Sequence, residues 1–267
     1  MNFTDFLLVA GCALVGVTVL MVATALWAKA VDKVSVVDVI WGLGFVLVAA
    51  VAALVGTTTD GDNRRWVLLA LVGVWGGRLA WHIGRRSIGH GEDPRYTAML
   101  GGTPSEVGLG PAIRKVFIVQ GLAMWFISLP VIMGGSQPTR WWPVVVVGAG
   151  VWLVGLVFES VGDAQLSAYR AKPKDQKPPV MDTGLWRYTR HPNYFGDACV
   201  WWGLWLAGGL ASGPVPALIT VLCPIAMTYF LLFATGARLL ERTMMQRPGY
   251  PEYAARTSMF VPLPPRR

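Results

Sequence analysis

Long apolar runs alternate with short polar segments along the chain, and the pattern predicts helices rather than strands. A helix crossing a bilayer needs about 20 mainly apolar residues. Runs of that length lie near 5–28, 35–56, 66–84, 114–134, 142–164, 193–211 and 214–238. The turn Ala211-Ser212-Gly213-Pro214 separates the last two. The pattern therefore predicts an all-α, polytopic integral membrane protein with about seven transmembrane helices. The run from Phe6 to Ala28 exceeds a signal-peptide core and reads as a retained span.

Composition agrees with this. The 267-residue chain is 54% hydrophobic and 14% charged, against about 25% charged in soluble domains. No stretch is polar and long enough for an attached water-soluble domain, so residues 1–267 read as a single membrane domain. The cysteines, Cys12, Cys199 and Cys223, sit in apolar runs and form no CxxC pair, so no metal or redox site follows.

The net charge of +8 changes the picture once it is distributed over the loops. On seven alternating spans, one side receives the 29–34, 85–115 and 165–192 loops and the C-terminal tail. These hold 2, 5, 6 and 6 Lys or Arg, 19 of the 23 in the chain. The other side holds Arg64, Arg65 and Arg140, and Arg78 lies inside the third span. Cytoplasmic loops carry the Lys/Arg excess. The N-terminus is thus expected outside and the C-terminus in the cytoplasm, in a plasma membrane of bacterial type. The basic residues follow the membrane side, which argues against nucleic acid as a partner and leaves membrane lipid or an anionic cytoplasmic ligand.

Polar residues at membrane depth are costly and mark functional sites by default. Glu159, Asp163 and Arg170 follow the apolar run 144–158 at offsets of 4 and 7, so they share one helical face. The denser stretch is Leu185-Trp186-Arg187-Tyr188-Thr189-Arg190-His191-Pro192-Asn193-Tyr194-Phe195-Gly196-Asp197. Pro192 suits the first turn of a helix, whose free N–H groups favour phosphate. Arg187, Arg190 and His191 stand beside that end. Asn193 and Asp197, four apart, project together, and Tyr194 offers a ring for stacking. Upstream, Glu92-Asp93-Pro94-Arg95-Tyr96 mixes charge with an aromatic beside the third span. Gly148-Ala149-Gly150 lacks the strand–turn–helix context of a dinucleotide fingerprint.

The Leu185–Gly196 string, together with Glu92–Tyr96, Asp163-Ala164-Gln165-Leu166 and Arg247-Pro248-Gly249-Tyr250, resembles the signature of the steroid 5-alpha-reductase-like membrane proteins, and more closely their bacterial branch. The likeness runs over about 35–262, leaving 1–34 as a first span and loop and putting the cofactor side at 159–197 and 238–262. The resemblance implies a seven-helix fold that uses NADPH to reduce a carbon–carbon double bond conjugated to a ketone in a lipid-soluble substrate. It assigns the nucleotide to Asp163, Arg170, Asn193, Asp197 and Arg78. Arg95, Glu159, Arg187, Arg190, His191 and Tyr194 are the further cofactor-binding candidates. Asp197 stands where the family usually has Glu. The steroid enzymes pair a Glu on the second span with a Tyr on the third; here the second span offers Asp38, and Trp75 stands near the Tyr place, so steroid specificity does not carry over. Asp38, held neutral, and Tyr96 are the candidate catalytic donors to the ketone oxygen. Membrane methyltransferases that use S-adenosylmethionine look similar around an Arg-His-Pro-x-Tyr-x-Gly element and form the alternative; a lipid-binding protein without catalysis is the other. The tail from Arg238 onward is expected to fold back over the cofactor.

Overall fold

A computed structural model describes residues 1–56, 63–234 and 236–266; Thr235, inside the expected 214–238 span, lies outside the described residues. The described residues form helices: α1 (Phe3–Val31), α2 (Val36–Val55), α3 (Arg64–Ser87), α4 (Pro94–Leu100), α5 (Ile118–Ile127), α6 (Leu129–Ser136), α7 (Trp142–Ala171), α8 (Pro192–Leu204), α9 (Pro214–Thr220), α10 (Leu222–Tyr229), α11 (Ala237–Met244) and α12 (Tyr250–Arg256), with shorter turns between them. Among the described residues, six helical stretches have the length and apolar character to cross a membrane: Phe3–Val31, Val36–Val55, Arg64–Ser87, Gly110–Ile127, Trp142–Ala171 and Pro214–Met244. The protein is a polytopic, all-helical membrane protein. The stretch expected as a sixth span is also helical but not uniform. α8 is 13 residues long and passes into a π-helical turn, Trp205–Gly209, then a 3-10 turn, Leu210–Ser212. Gly208 helps to explain this: a side chain there would meet the backbone carbonyl of Pro130.

The chain divides into two compact units, Met1–Val145 with Leu206–Cys223, and Val146–Trp205 with Pro224–Arg267.

In the first unit, α2 and α3 pack at a glycine contact. A Cβ at Gly42 or Gly76 would run into the other residue's carbonyl oxygen, so the two backbones touch there. Phe45 and Trp75 fill the space beside this contact, both fully buried, with ring centroids 5.6 Å apart. Lys33 ends α3 by donating from Nζ to the carbonyls of Ser87 and His90 at 3.1 and 3.2 Å, which occupies carbonyls a helix end leaves open. Arg64 reads as a loop cation in the sequence, yet it is fully buried. Its guanidinium donates to Gln137 O at 2.6 Å and Ser212 Oγ at 2.9 Å. The Gln137 side chain in turn exchanges two hydrogen bonds with the backbone of Asn2, at 2.7 and 2.9 Å. One cation thus joins the starts and ends of several helices.

In the second unit, glycines at seven-residue spacing line one side of α7. Gly155 faces Gly196 of α8, Gly148 faces Gly203, and Gly162 lies under Pro192 and Asn193. A Cβ at Gly196 would come within 2.5 Å of the Glu159 nitrogen and the Gly155 oxygen. This close approach fixes the start of α8 against the middle of α7. The C-terminal tail folds back along the segment preceding α8. Thr189 pairs with Ser258 in an isolated parallel bridge, Arg190 N donates to Ser258 O at 2.9 Å, and Leu263 N donates to Tyr188 O at 3.0 Å.

Candidate active site

The polar cluster of the first unit starts from the beginning of α2. Ser35 occupies the N-cap without capping through its side chain. The carboxylate of Glu92 takes that role from outside, accepting from the backbone N–H groups of Val34 and Ser35, the latter at 3.0 Å, and from Asp93 N at 2.8 Å. Asp93 is the N-cap of α4, accepting from Arg95 N at 2.8 Å, and Pro94 occupies the first turn. This double anchorage sets α4 against the start of α2. It brings the Tyr96 hydroxyl to Asp38 Oδ1, to which it donates at 2.5 Å. Gln120 on α5 donates from Nε2 to the same hydroxyl at 3.2 Å. Arg95 Nη2 reaches Asp38 Oδ2 at 3.4 Å, but it is mostly exposed and held chiefly by Asp93, at 2.8 Å. Burial, followed by the neighbouring Asp38, pushes the Tyr96 phenol above its ordinary pKa of 10.0, so it is protonated across the neutral range. The Arg95 hydrogen bond holds Asp93 below its usual range.

Asp38, Arg95 and Tyr96, each singled out from the sequence, therefore meet. Sequence reading missed Gln120 and Glu92 as site residues. Gln120 carried a signal, being an amide inside an apolar run. Arg78 sits half-buried on α3, two residues past the Gly76 contact.

In the second unit, Glu159 and Asp163 on α7 are both buried. Asn193 Nδ2 donates to Asp163 Oδ1 at 3.2 Å, and Asn193 Oδ1 accepts from Tyr194 N at 3.1 Å. Tyr194 stacks on His191, with centroids 5.4 Å apart and planes within 5°. Asp197 is half-buried one turn further on, while Arg170 and Arg187 are exposed. The anchoring of the preceding loop is equally specific. Trp186 Nε1 donates to Gly162 O at 3.0 Å, and Leu185 N donates to Gln165 Oε1 at 3.0 Å.

Arg190 has a role that the sequence did not indicate. It forks onto Glu241, Nε to Oε1 at 2.6 Å and Nη2 to Oε2 at 2.9 Å, and Nη1 donates to the carbonyls of Ala254 and Thr257 at 2.8 and 2.5 Å. Four of its five N–H donors are thereby spent on the tail. His191 Nε2 lies 3.1 Å from Glu241 Oε1, and Tyr250 donates to the same oxygen at 3.4 Å. Burial works against the Arg190 charge, but the Glu241 carboxylate outweighs it and leaves the guanidinium pKa raised. Glu241 is the residue missed here; nothing in its amphipathic surroundings set it apart from a solvated helix acid. Tyr253 completes the seam by donating to Trp186 O at 2.5 Å.

A family model described as "Protein of unknown function (DUF1295)" matches residues 24–257. The chain belongs to the DUF1295 family. This DUF1295 protein is also similar to the 3-oxo-5-alpha-steroid 4-dehydrogenase 1 of Mus musculus, 36% identical over 79 residues that make up 30% of this chain and 31% of the mouse protein. The Rattus norvegicus protein of the same name is 35% identical over 79 residues, 30% of each chain. The match spans less than a third of either relative. Both findings agree with the steroid 5-alpha-reductase-like signature read in Leu185–Gly196. No solved structure matches the chain.

Proposed function

We propose that the chain is a membrane-embedded oxidoreductase that reduces a carbon–carbon double bond conjugated to a ketone in a lipid-soluble substrate, using NADPH. The observation that carries this reading is the hydrogen bond between Tyr96 and Asp38, extended by Gln120, at the head of an apolar helix. A protonated phenol linked to a carboxyl can become a donor to a carbonyl oxygen once the carboxyl no longer accepts its proton. Such donors act most strongly where charge develops in a site shielded from water. When Asp38 is protonated and bonds to the phenol oxygen, the Tyr96 O–H turns to the substrate ketone and stabilises the enolate oxygen. Arg95 and Asp93 hold that end of α4 in place.

The donor set of the second unit fits a nicotinamide nucleotide. The Asp163–Asn193 pair offers an acceptor and an amide to ribose hydroxyls, and the Tyr194–His191 stack offers an aromatic face. Arg187 and Arg242 are exposed cations suited to phosphate. Arg190, His191 and Glu241 act as positioning residues that hold the tail beside this set. When bound, NADPH supplies the hydride for the electron-poor alkene carbon. The basic loops and the tail face the cytoplasm in this reading, where the nucleotide is found.

Thermal shift of the purified full chain tests the reading. NADPH is expected to raise the melting temperature, and Asn193→Ala or Asp163→Ala to abolish the increase. Stabilisation by S-adenosylmethionine without stabilisation by NADPH sinks the reductase reading in favour of methyl transfer.

A further inference from the structure

A groove of about 290 Å3 runs along the outside of the first unit, between α1 and the segment leading into α5. Its lining is almost wholly apolar and includes Val17, Met21 and Ala25 from α1 and Ile113, Phe117 and Gly121 from the facing segment. Two local features open it. Gly121 lacks a side chain where a Cβ would press on Met21 at 3.1 Å, and Ile113–Phe117 is a π-helical turn, a form concentrated at functional sites. The groove is not part of the Tyr96 cluster. Gln120 leaves α5 towards Tyr96, whereas Ile118, Gly121 and Leu122 line the groove from another face of the same helix.

Charge identifies the occupant. Lys29 lies one helical turn beyond Ala25 and on the same line as Thr18, Val22 and Ala25. Arg114 directly follows Ile113. Both cations are exposed, and each lies within one helical turn, along its own segment, of a residue that lines the groove, Ala25 for Lys29 and Ile113 for Arg114. The acids of these segments are taken up by the neighbouring turn. Asp32 accepts from Ser105 N at 2.7 Å and Thr103 Oγ1 at 3.0 Å, and Glu106 accepts from Thr103 N at 2.8 Å. Lys115 is turned to the carbonyl of Met99, at 3.0 Å.

We propose that this groove is a specific site for one anionic phospholipid, with an acyl chain along Val17–Ala25 and the headgroup phosphate between Lys29 and Arg114. An apolar channel flanked by two cations matches an amphiphile with one negative end, and each basic residue near the bilayer surface attracts anionic lipid.

Native mass spectrometry of the full chain in detergent tests this, with dioleoylphosphatidylglycerol and dioleoylphosphatidylcholine as probes. Retention of a single phosphatidylglycerol is expected, about tenfold or more tighter than phosphatidylcholine. The double variant Lys29→Ala, Arg114→Ala is expected to erase that preference. Thr18→Trp, which fills the groove from an exposed position, is expected to lose the retained lipid. Lys172→Ala, a cation elsewhere, is expected to keep it, and inorganic phosphate is expected not to compete. Equal retention of the two lipids overturns the proposal. So does a preference that survives the double variant, or displacement by inorganic phosphate alone.

Discussion

The Tyr96 hydroxyl donates to Asp38 across 2.5 Å, although 58 residues separate the two in the chain. Asp38 begins an apolar helix and Tyr96 is buried in a short helix beside it. Tyr96→Phe removes the O–H and leaves Asp38 and Gln120 facing a ring. Turnover is expected to fall about 10²–10³-fold, the loss seen when one donor to a developing oxyanion is removed. Nucleotide binding is expected to be unchanged, because Tyr96 is not among the residues assigned to the nucleotide. Steady-state rates measured beside an NADPH titration check both halves.

Glu92 acts through others. Its carboxylate accepts three backbone N–H groups, those of Val34, Ser35 and Asp93. Glu92→Ala is expected to cost about 1–3 kcal/mol of stability, the penalty for leaving such donors without an acceptor, and to lower kcat by loosening the Tyr96–Asp38 contact. Glu92→Gln, which keeps an oxygen acceptor, is expected to rescue most of the kcat. A purely structural role would lower stability and leave kcat intact.

Arg190→Lys keeps the charge and loses the fork to Glu241. The tail beyond Met244 is expected to become protease-sensitive while the rest of the chain holds. Limited proteolysis with mass mapping reads this directly. A direct phosphate contact by Arg190 predicts instead weaker NADPH binding with the tail still protected.

Gly155→Leu drives a side chain into the Gly196 carbonyl and the Val200 nitrogen. Overpacking of this kind costs about 1–3 kcal/mol. Because the same contact sets the height of Asn193 against Asp163, nucleotide binding is expected to weaken along with the melting temperature.

Alkaline pH tests the Tyr96 environment. Its pKa is raised above the ordinary 10.0, first by burial and then by Asp38. The folded protein therefore keeps a proton that the unfolded chain gives up near pH 10. Stability from this group is present below that pH and declines as pH rises further. The rate profile is expected to show no loss from Tyr96 ionisation below about pH 10. An alkaline limb near neutrality that disappears in Tyr96→Phe contradicts the burial of this phenol.

The spans were legible because a run of apolar residues long enough to cross a bilayer has few alternatives. The break inside 192–212 was not; it coincides with the close approach of Gly208 to Pro130, a contact between segments distant in the chain. Asp38 and Asn193 were legible as polar residues in apolar runs. The partnership of Asp38 with Tyr96 was not, since it depends on Glu92 reaching the start of α2. Arg190 shows the opposite case. A basic residue beside a helix N-terminus invites a phosphate reading, and only the folded tail reveals that its donors are used by Glu241 and two carbonyls.

Hydride transfer to a lipid separates a reductase from a methyltransferase and from a lipid carrier. To follow it, the reconstituted full chain is incubated with a membrane lipid extract, NADPH deuterated at its transferable position and methyl-labelled S-adenosylmethionine, and the lipids are read by mass spectrometry. An unsaturated ketone lipid is expected to gain one deuterium and one solvent proton, at a rate that collapses in Tyr96→Phe. A lipid that gains the labelled methyl group, with the deuterium left on the nucleotide, contradicts the reductase reading.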